Sequence, residues 1–134
     1  MGISYSIDIV LDLKYEKHNI AYLFQKFIKN NIYLCADFFD EPEKIDSSGA
    51  ADRILNMTLE GENRCVDAKF QDTEFSIWIY NKNNLINLSV GAFGIKWRKD
   101  FIDGHHGFDF ARYIRLFLRM CDEFTILGLE TSAL

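Results

Sequence analysis

A single proline, three cysteines and three histidines in 134 residues leave little material for several familiar chemistries. One Pro beside 8 Gly excludes collagen-like, proline-rich and linker-like chains. Cys35, Cys65 and Cys121 are odd in number, widely separated and without a C-x-x-C pair. A disulfide framework needs an even count in an oxidising compartment, so three reduced, buried thiols are expected. No uncharged apolar run approaches the roughly 20 residues of a membrane span. The opening stretch lacks a basic region, and Asp8 and Asp12 interrupt its apolar residues, so no secretory signal is expected. Met1-Gly2 with Ser6 fits the N-myristoylation pattern in form, yet the same residues open a strand pattern. Cationic residues are in deficit: 15 Lys and Arg stand against 20 Asp and Glu, for a net charge of −5. That balance argues against nucleic-acid binding by a basic surface. A soluble cytoplasmic protein, without membrane or nucleic-acid partners, is the expectation.

What the chain does have is apolar material. Hydrophobic residues make up 49% and charged residues 26%, enough for one globular domain over residues 1–134 with a sizeable core. Ile3, Tyr5, Ile7, Ile9, Leu11 and Leu13 alternate with more polar neighbours, the period of a strand with one buried face. The period then changes. Ile20, Leu23, Phe24, Phe27 and Ile28 form one helical stripe, and Asn30-Asn31 is a plausible stop. Residues 32–39 read as a strand and 40–52 as an exposed connection holding the single proline. Four strands are expected next, over 54–60, 64–70, 73–80 and 85–93, as an antiparallel meander with short, turn-rich connections. In the first of them Leu55, Met57 and Leu59 would share a face. Gly91 and Gly94 mark a bulge or bend. After an irregular stretch over 95–107, Asp109 suits an N-cap with Phe108 as staple. The helix it opens would run to about Asp122 and bury Phe110, Ile114, Phe117 and Cys121, helped by Tyr113 and Leu118. A last strand is expected over 124–130. The order β-α-β-β-β-β-β-α-β describes an α+β fold, mainly antiparallel sheet with two amphipathic helices on one face.

No catalytic set stands out. Asp103-Gly104-His105-His106-Gly107 precedes a helix and holds groups that bind metals or move protons. It superficially resembles the metal finger of small ββα nucleases. That family's helix supplies an Asn and a further His, and residues 110–122 contain neither. The alternative reading, a small metal- or ligand-binding enzyme, would use this loop together with Arg112, Arg115 and Arg119. Those arginines share one side of the last helix, where Asp109, Asp122 and Glu123 at helical spacings offer to pair with them. Lys96, Arg98 and Lys99 beside Trp97 make a second small basic group. Cys65 on a strand and Cys121 on an apolar helix face suit packing better than nucleophilic catalysis. No cofactor and no catalytic residue is expected.

Acidic charge is placed unevenly. Residues 1–62 carry 6 basic and 11 acidic residues, whereas residues 63–134 carry 9 of each. Within 37–52, Asp37, Asp40, Glu41, Glu43, Asp46 and Asp52 face only Lys44. Clustered carboxylates on a loop add their potentials and suit docking to a basic protein. Phe38 and Phe39 in the same stretch suit buried anchors.

The chain ends Asp109-Phe110-Ala111-Arg112-Tyr113-Ile114-Arg115-Leu116, followed by Asp122-Glu123-Phe124-Thr125-Ile126-Leu127. This helix-then-strand ending, with the small acidic chain rich in Asn, Ile, Lys and Phe, resembles the small bacterial immunity proteins of contact-dependent and polymorphic toxin systems. The resemblance implies a bacterial source and inhibition by occlusion. It also implies a cognate toxin as partner, often a basic nuclease.

Overall fold

The alternation of Ile7, Ile9 and Leu11 with Ser6, Asp8 and Val10 becomes β1 (Tyr5–Lys14) in the computed structural model. The model describes residues 5–35, 49–57, 63–71, 73–94 and 110–133. The helical stripe becomes α1 (Lys17–Lys29), with Ile20, Leu23, Phe24, Phe27 and Ile28 all buried. Asn30 ends it, its side-chain amide donating to the Lys26 carbonyl at 2.8 Å, and Asn31 turns the chain at φ 67°. Asparagine tolerates the left-handed region better than most residues, which suits it to a helix exit.

β2 (Ile32–Cys35) is short. α2 (Ala50–Met57) follows, then β3 (Asn63–Phe70), β4 (Thr73–Lys82), β5 (Leu85–Gly94), α3 (Phe110–Met120) and β6 (Ile126–Ala133). The six strands form one sheet in the order β2-β3-β4-β5-β1-β6, and each neighbouring pair in it is antiparallel. β4 and β5 turn through Asn83 and Asn84 at φ 54° and 66°, the two positive values of a type I′ hairpin. At Gly91–Gly94 the β4–β5 register shifts, as the glycines suggested. A side chain at Gly91 would stand 3.2 Å from the Tyr5 carbonyl of β1.

The α+β class stands, with two corrections to its details. Residues 50–57 are helix, so the strand expected over 54–60 begins inside α2. The reason is legible in burial: Ile54 and Leu55 are both buried. Neighbours in a strand point to opposite faces, whereas neighbours 100° apart on a helix both fit one apolar stripe. The element order is therefore β-α-β-α-β-β-β-α-β, with three helices among the described residues. The second correction is the stripe of α3. Tyr113, Leu116, Phe117, Met120 and Cys121 are buried, while Ile114 and Leu118 are half-buried. The strand expected over 32–39 is present over Ile32–Cys35, and 36–39 lie outside the described residues.

One face of the sheet carries the core. Ile7 pairs with Val90, Val90 with Ile77 and Ile77 with Val66, a row of buried side chains crossing four strands. The helices seal it. Phe117 of α3 meets Phe27 of α1 at 5.9 Å and Phe75 of β4 at 6.1 Å, both edge to face. Tyr113 meets Phe93 at 4.8 Å. Fully buried aromatics of this size contribute on the order of 1.5–3 kcal/mol each through area, and edge-to-face pairs add about 0.5–1.5. The other face carries Ser6, Asp8, Trp78, Tyr80, Ser89 and Glu130, and no described helix covers it.

Candidate functional site

The acidic segment is tied to the core at both ends. It leaves β2 at Cys35, which is buried and whose thiol donates to the Asp67 carbonyl at 3.7 Å. It re-enters the fold at α2, where the Arg53 amide donates to the Gly49 carbonyl at 3.0 Å. Buried Ile54 and Leu55 hold α2 down, and the Arg64 guanidinium donates to the Leu55 carbonyl at 2.9 Å. Asp37, Phe38, Phe39, Asp40, Glu41, Glu43 and Asp46 lie outside the described residues. Asp52 was expected on the exposed connection and instead belongs to α2. Helix-forming Ala50, Ala51 and Arg53 beside it explain why the helix starts this early. On β2, Tyr33 is 43% exposed and stands across from Lys69. An exposed aromatic therefore lies two residues before the point where the segment departs.

Two of the three carboxylates whose spacing suggested pairing with the arginines of α3 do not pair with them, and the third, Asp109, lies outside the described residues. Asp122 and Glu123 fall in the turn after α3, out of helical register, and reach across to Lys26 of α1 instead. The Lys26 ammonium lies 3.0 Å from Glu123 and 3.5 Å from Asp122. The Tyr22 hydroxyl donates to the other Glu123 oxygen at 2.5 Å, and its ring meets Phe124 edge to face at 6.1 Å. The hydrogen bond from Tyr22, then that from Lys26, holds the Glu123 carboxyl below its ordinary value of 4.5. The same bonds push Tyr22 and Lys26 upward. Four residues from α1 and the α3–β6 turn thus form one surface tie. No sequence signal joined them, because Tyr22 and Glu123 are 101 positions apart.

Arg112 donates to the Gln71 side chain and lies over the rings of Phe70 and Tyr113, at 5.9 and 5.3 Å. It is engaged in holding α3 to the end of β3. Arg115 and Arg119 are exposed. The 95–109 stretch, with His105, His106, Trp97 and the Lys96/Arg98/Lys99 group, lies outside the described residues, as do the Asp109 cap and the Phe108 staple. Among the described residues no group of three or more His, Cys, Asp or Glu is placed to hold a metal ion.

None of the three thiols forms a disulfide. Cys35 and Cys121 are buried as expected, whereas Cys65 is only half-buried. Burial pushes the Cys121 thiol up to about 11. Burial, then the Asp67 carboxylate, raises Cys65 as well. A raised thiol holds less thiolate at neutral pH, so both suit packing rather than attack on a substrate. No described helix is long and apolar enough to cross a membrane.

No protein-family model and no curated protein matches the chain. Among solved structures, the chain is similar to a crystal structure of the toxic C-terminal tip of CdiA from Pseudomonas aeruginosa in complex with immune protein. The TM-score is 0.38 at 8% identity, covering 95% of this chain and 85% of that one. No residue role transfers along a likeness of that size.

Proposed function

We propose that the chain is a non-catalytic binding protein, an immunity protein that neutralises a cognate toxin by covering it. Residues 37–52 are the contact and a basic toxin domain, of the nuclease type, is the partner. One observation carries this reading. Six carboxylates facing a single lysine are strung between two ends that the core holds in place, at Cys35 and at Ile54–Leu55. Carboxylates clustered in sequence add their potentials and can orient an approaching basic surface. Phe38 and Phe39 supply apolar anchors near the start of the segment, five and six positions along the sequence from exposed Tyr33. Inhibition by coverage asks for no reacting group, in keeping with raised thiols and an Arg112 already engaged. The partnership is of the same kind as the CdiA tip and its immune protein, but it rests on the charge and attachment of the segment.

The test is co-expression with the product of the adjacent reading frame in a bacterial host. The expected result is that this chain restores growth arrested by that product and purifies with it as a complex. Continued arrest with both proteins present, or two proteins that run separately, contradicts the reading.

A further inference from the structure

We propose that the outer edge of β6 accepts an extended, basic segment of a partner protein as an additional strand. This is a second surface, at the opposite end of the sheet from β2, and it stands whether or not residues 37–52 bind.

β6 ends the strand order, and among the described residues nothing pairs with its outer edge. Proteins normally blunt such an edge by shortening it, covering it, or placing lysine or proline on it. β6 has eight residues, Ile-Leu-Gly-Leu-Glu-Thr-Ser-Ala, with neither lysine nor proline. Its register on β1 shifts once, between Gly128 and Ile126, and from Gly128 to Ala133 the ladder is regular. Leu127 and Leu129 are 55% and 38% exposed, two of the few large apolar side chains in the described fold that face water.

Charge identifies the occupant. Glu130 stands directly across from Asp8 of β1, and no cation among the described residues meets either carboxylate. Like charges directly opposite on neighbouring strands are destabilising, and opposite charges at such positions are favourable. A strand added beside Glu130 places its own side chains on that same face, where Lys or Arg relieves the repulsion. Its alternate side chains fall on the side of Leu129, where apolar groups are suited. An alternating basic–apolar segment fits both. A second copy of this chain fits neither. Antiparallel self-pairing about Leu129 would bring two Glu130 and two Asp8 carboxylates onto one face.

The probes are two capped eight-residue peptides, alternating Lys-Val and alternating Glu-Val, added to the full chain. Hydrogen exchange at the β6 amides and fluorescence anisotropy of labelled peptide are the readouts. The expected result is that Lys-Val slows exchange at outward-facing amides between Gly128 and Ser132, while Glu-Val leaves them unchanged. Glu130→Lys weakens Lys-Val binding by at least about tenfold, the loss of favourable cross-strand charge pairs and their replacement by repulsion. Glu130→Gln weakens it by a smaller factor, and both variants melt no lower than the parent, because each removes the like charge that faces Asp8. Raising salt from about 0.01 to about 0.15 M weakens Lys-Val binding, as the Debye length falls from about 30 to about 8 Å. Asp40→Lys/Glu41→Lys/Glu43→Lys binds Lys-Val with no more than a salt-sensitive, few-fold change. Equal binding of the two peptides, or unchanged β6 exchange with Lys-Val in large excess, overturns the proposal. So does a dimer of the parent that Leu129→Lys dissociates, because the occupant is then a second copy.

Discussion

Phe27 of α1 and Phe117 of α3 meet edge to face with ring centroids 5.9 Å apart, and both are fully buried. Phe75 of β4 lies 6.1 Å from Phe117, so one aromatic group joins two helices to the centre of the sheet. Phe117→Ala empties the middle of that group. It should destabilise the fold by about 3–5 kcal/mol in urea unfolding, with the slope of the transition unchanged. Phe24→Ala, from the same buried stripe of α1, belongs to the same range. A variant that unfolds at the parent's urea concentration contradicts the placement of these helix faces.

α2 has a test of its own. Ile54→Ala and Leu55→Ala should each destabilise by about 2–4 kcal/mol, because both side chains are buried. A strand through these residues would expose one of the two, and that substitution would then fall within about 0.5 kcal/mol of the parent. Chemical denaturation of the pair distinguishes the cases.

The tie between α1 and the α3–β6 turn is pH-dependent, and its sign follows from the shifts. Glu123 is held below its ordinary 4.5, so its contribution is present above that value and is lost as pH falls through the folded-state value. Tyr22 and Lys26 are raised above 10.0 and 10.5, so theirs is present below those values and is lost as pH rises through the folded-state ones. Tyr22 and Glu123 are exposed and Lys26 is half-buried, so solvent keeps the effect small. Tyr22→Phe should therefore melt slightly below the parent at pH 7 and together with it once Glu123 is protonated. An equal gap at pH 7 and pH 3 contradicts the tie.

Thiol labelling separates the cysteines. Cys65, half-buried, should react with a maleimide first, while Cys35 and Cys121 wait for opening of the fold. Burial holds Cys121 near 11, which slows it further at neutral pH. Mass spectrometry of timed digests gives the order. Labelling of Cys121 ahead of Cys65 contradicts the burial of the α3 face.

The sequence was most readable where a period ran long enough to have one interpretation. The stripe Ile20, Leu23, Phe24, Phe27 and Ile28 and the alternations through Phe75–Ile79 and Ile86–Val90 each appear in the fold with those faces buried. Residues 54–60 were ambiguous because Leu55, Met57 and Leu59 alternate while Ile54 and Leu55 adjoin. Packing against α1 decides for the helix, and propensity over so few residues does not. The stripe of α3 shifted because Leu116, Phe117 and Leu118 are all apolar, and the fold buries Leu116 beside Phe117 while Leu118 is left half-buried. Long-range pairing had no local signal. Nothing in the terminal strand indicated that β1 would enter between β5 and β6, or that Asp8 would face Glu130. Of the candidate site, the charge of 37–52 was plain in the sequence, whereas the anchoring of its ends by Cys35 and Leu55 needed the fold.

The central claim is that residues 37–52 meet a basic partner, and association kinetics test it most directly. The measurement is stopped-flow mixing of the parent, or of Asp40→Lys/Glu41→Lys/Glu43→Lys, with the purified toxin domain from the adjacent reading frame. Charges that steer encounter act on association, so the triple variant should associate roughly ten- to a thousandfold more slowly at low salt, with a smaller change in dissociation. The gap should narrow as ionic strength rises to about 0.15 M. Equal association rates for parent and variant at low salt contradict the account and remove this segment from the interface.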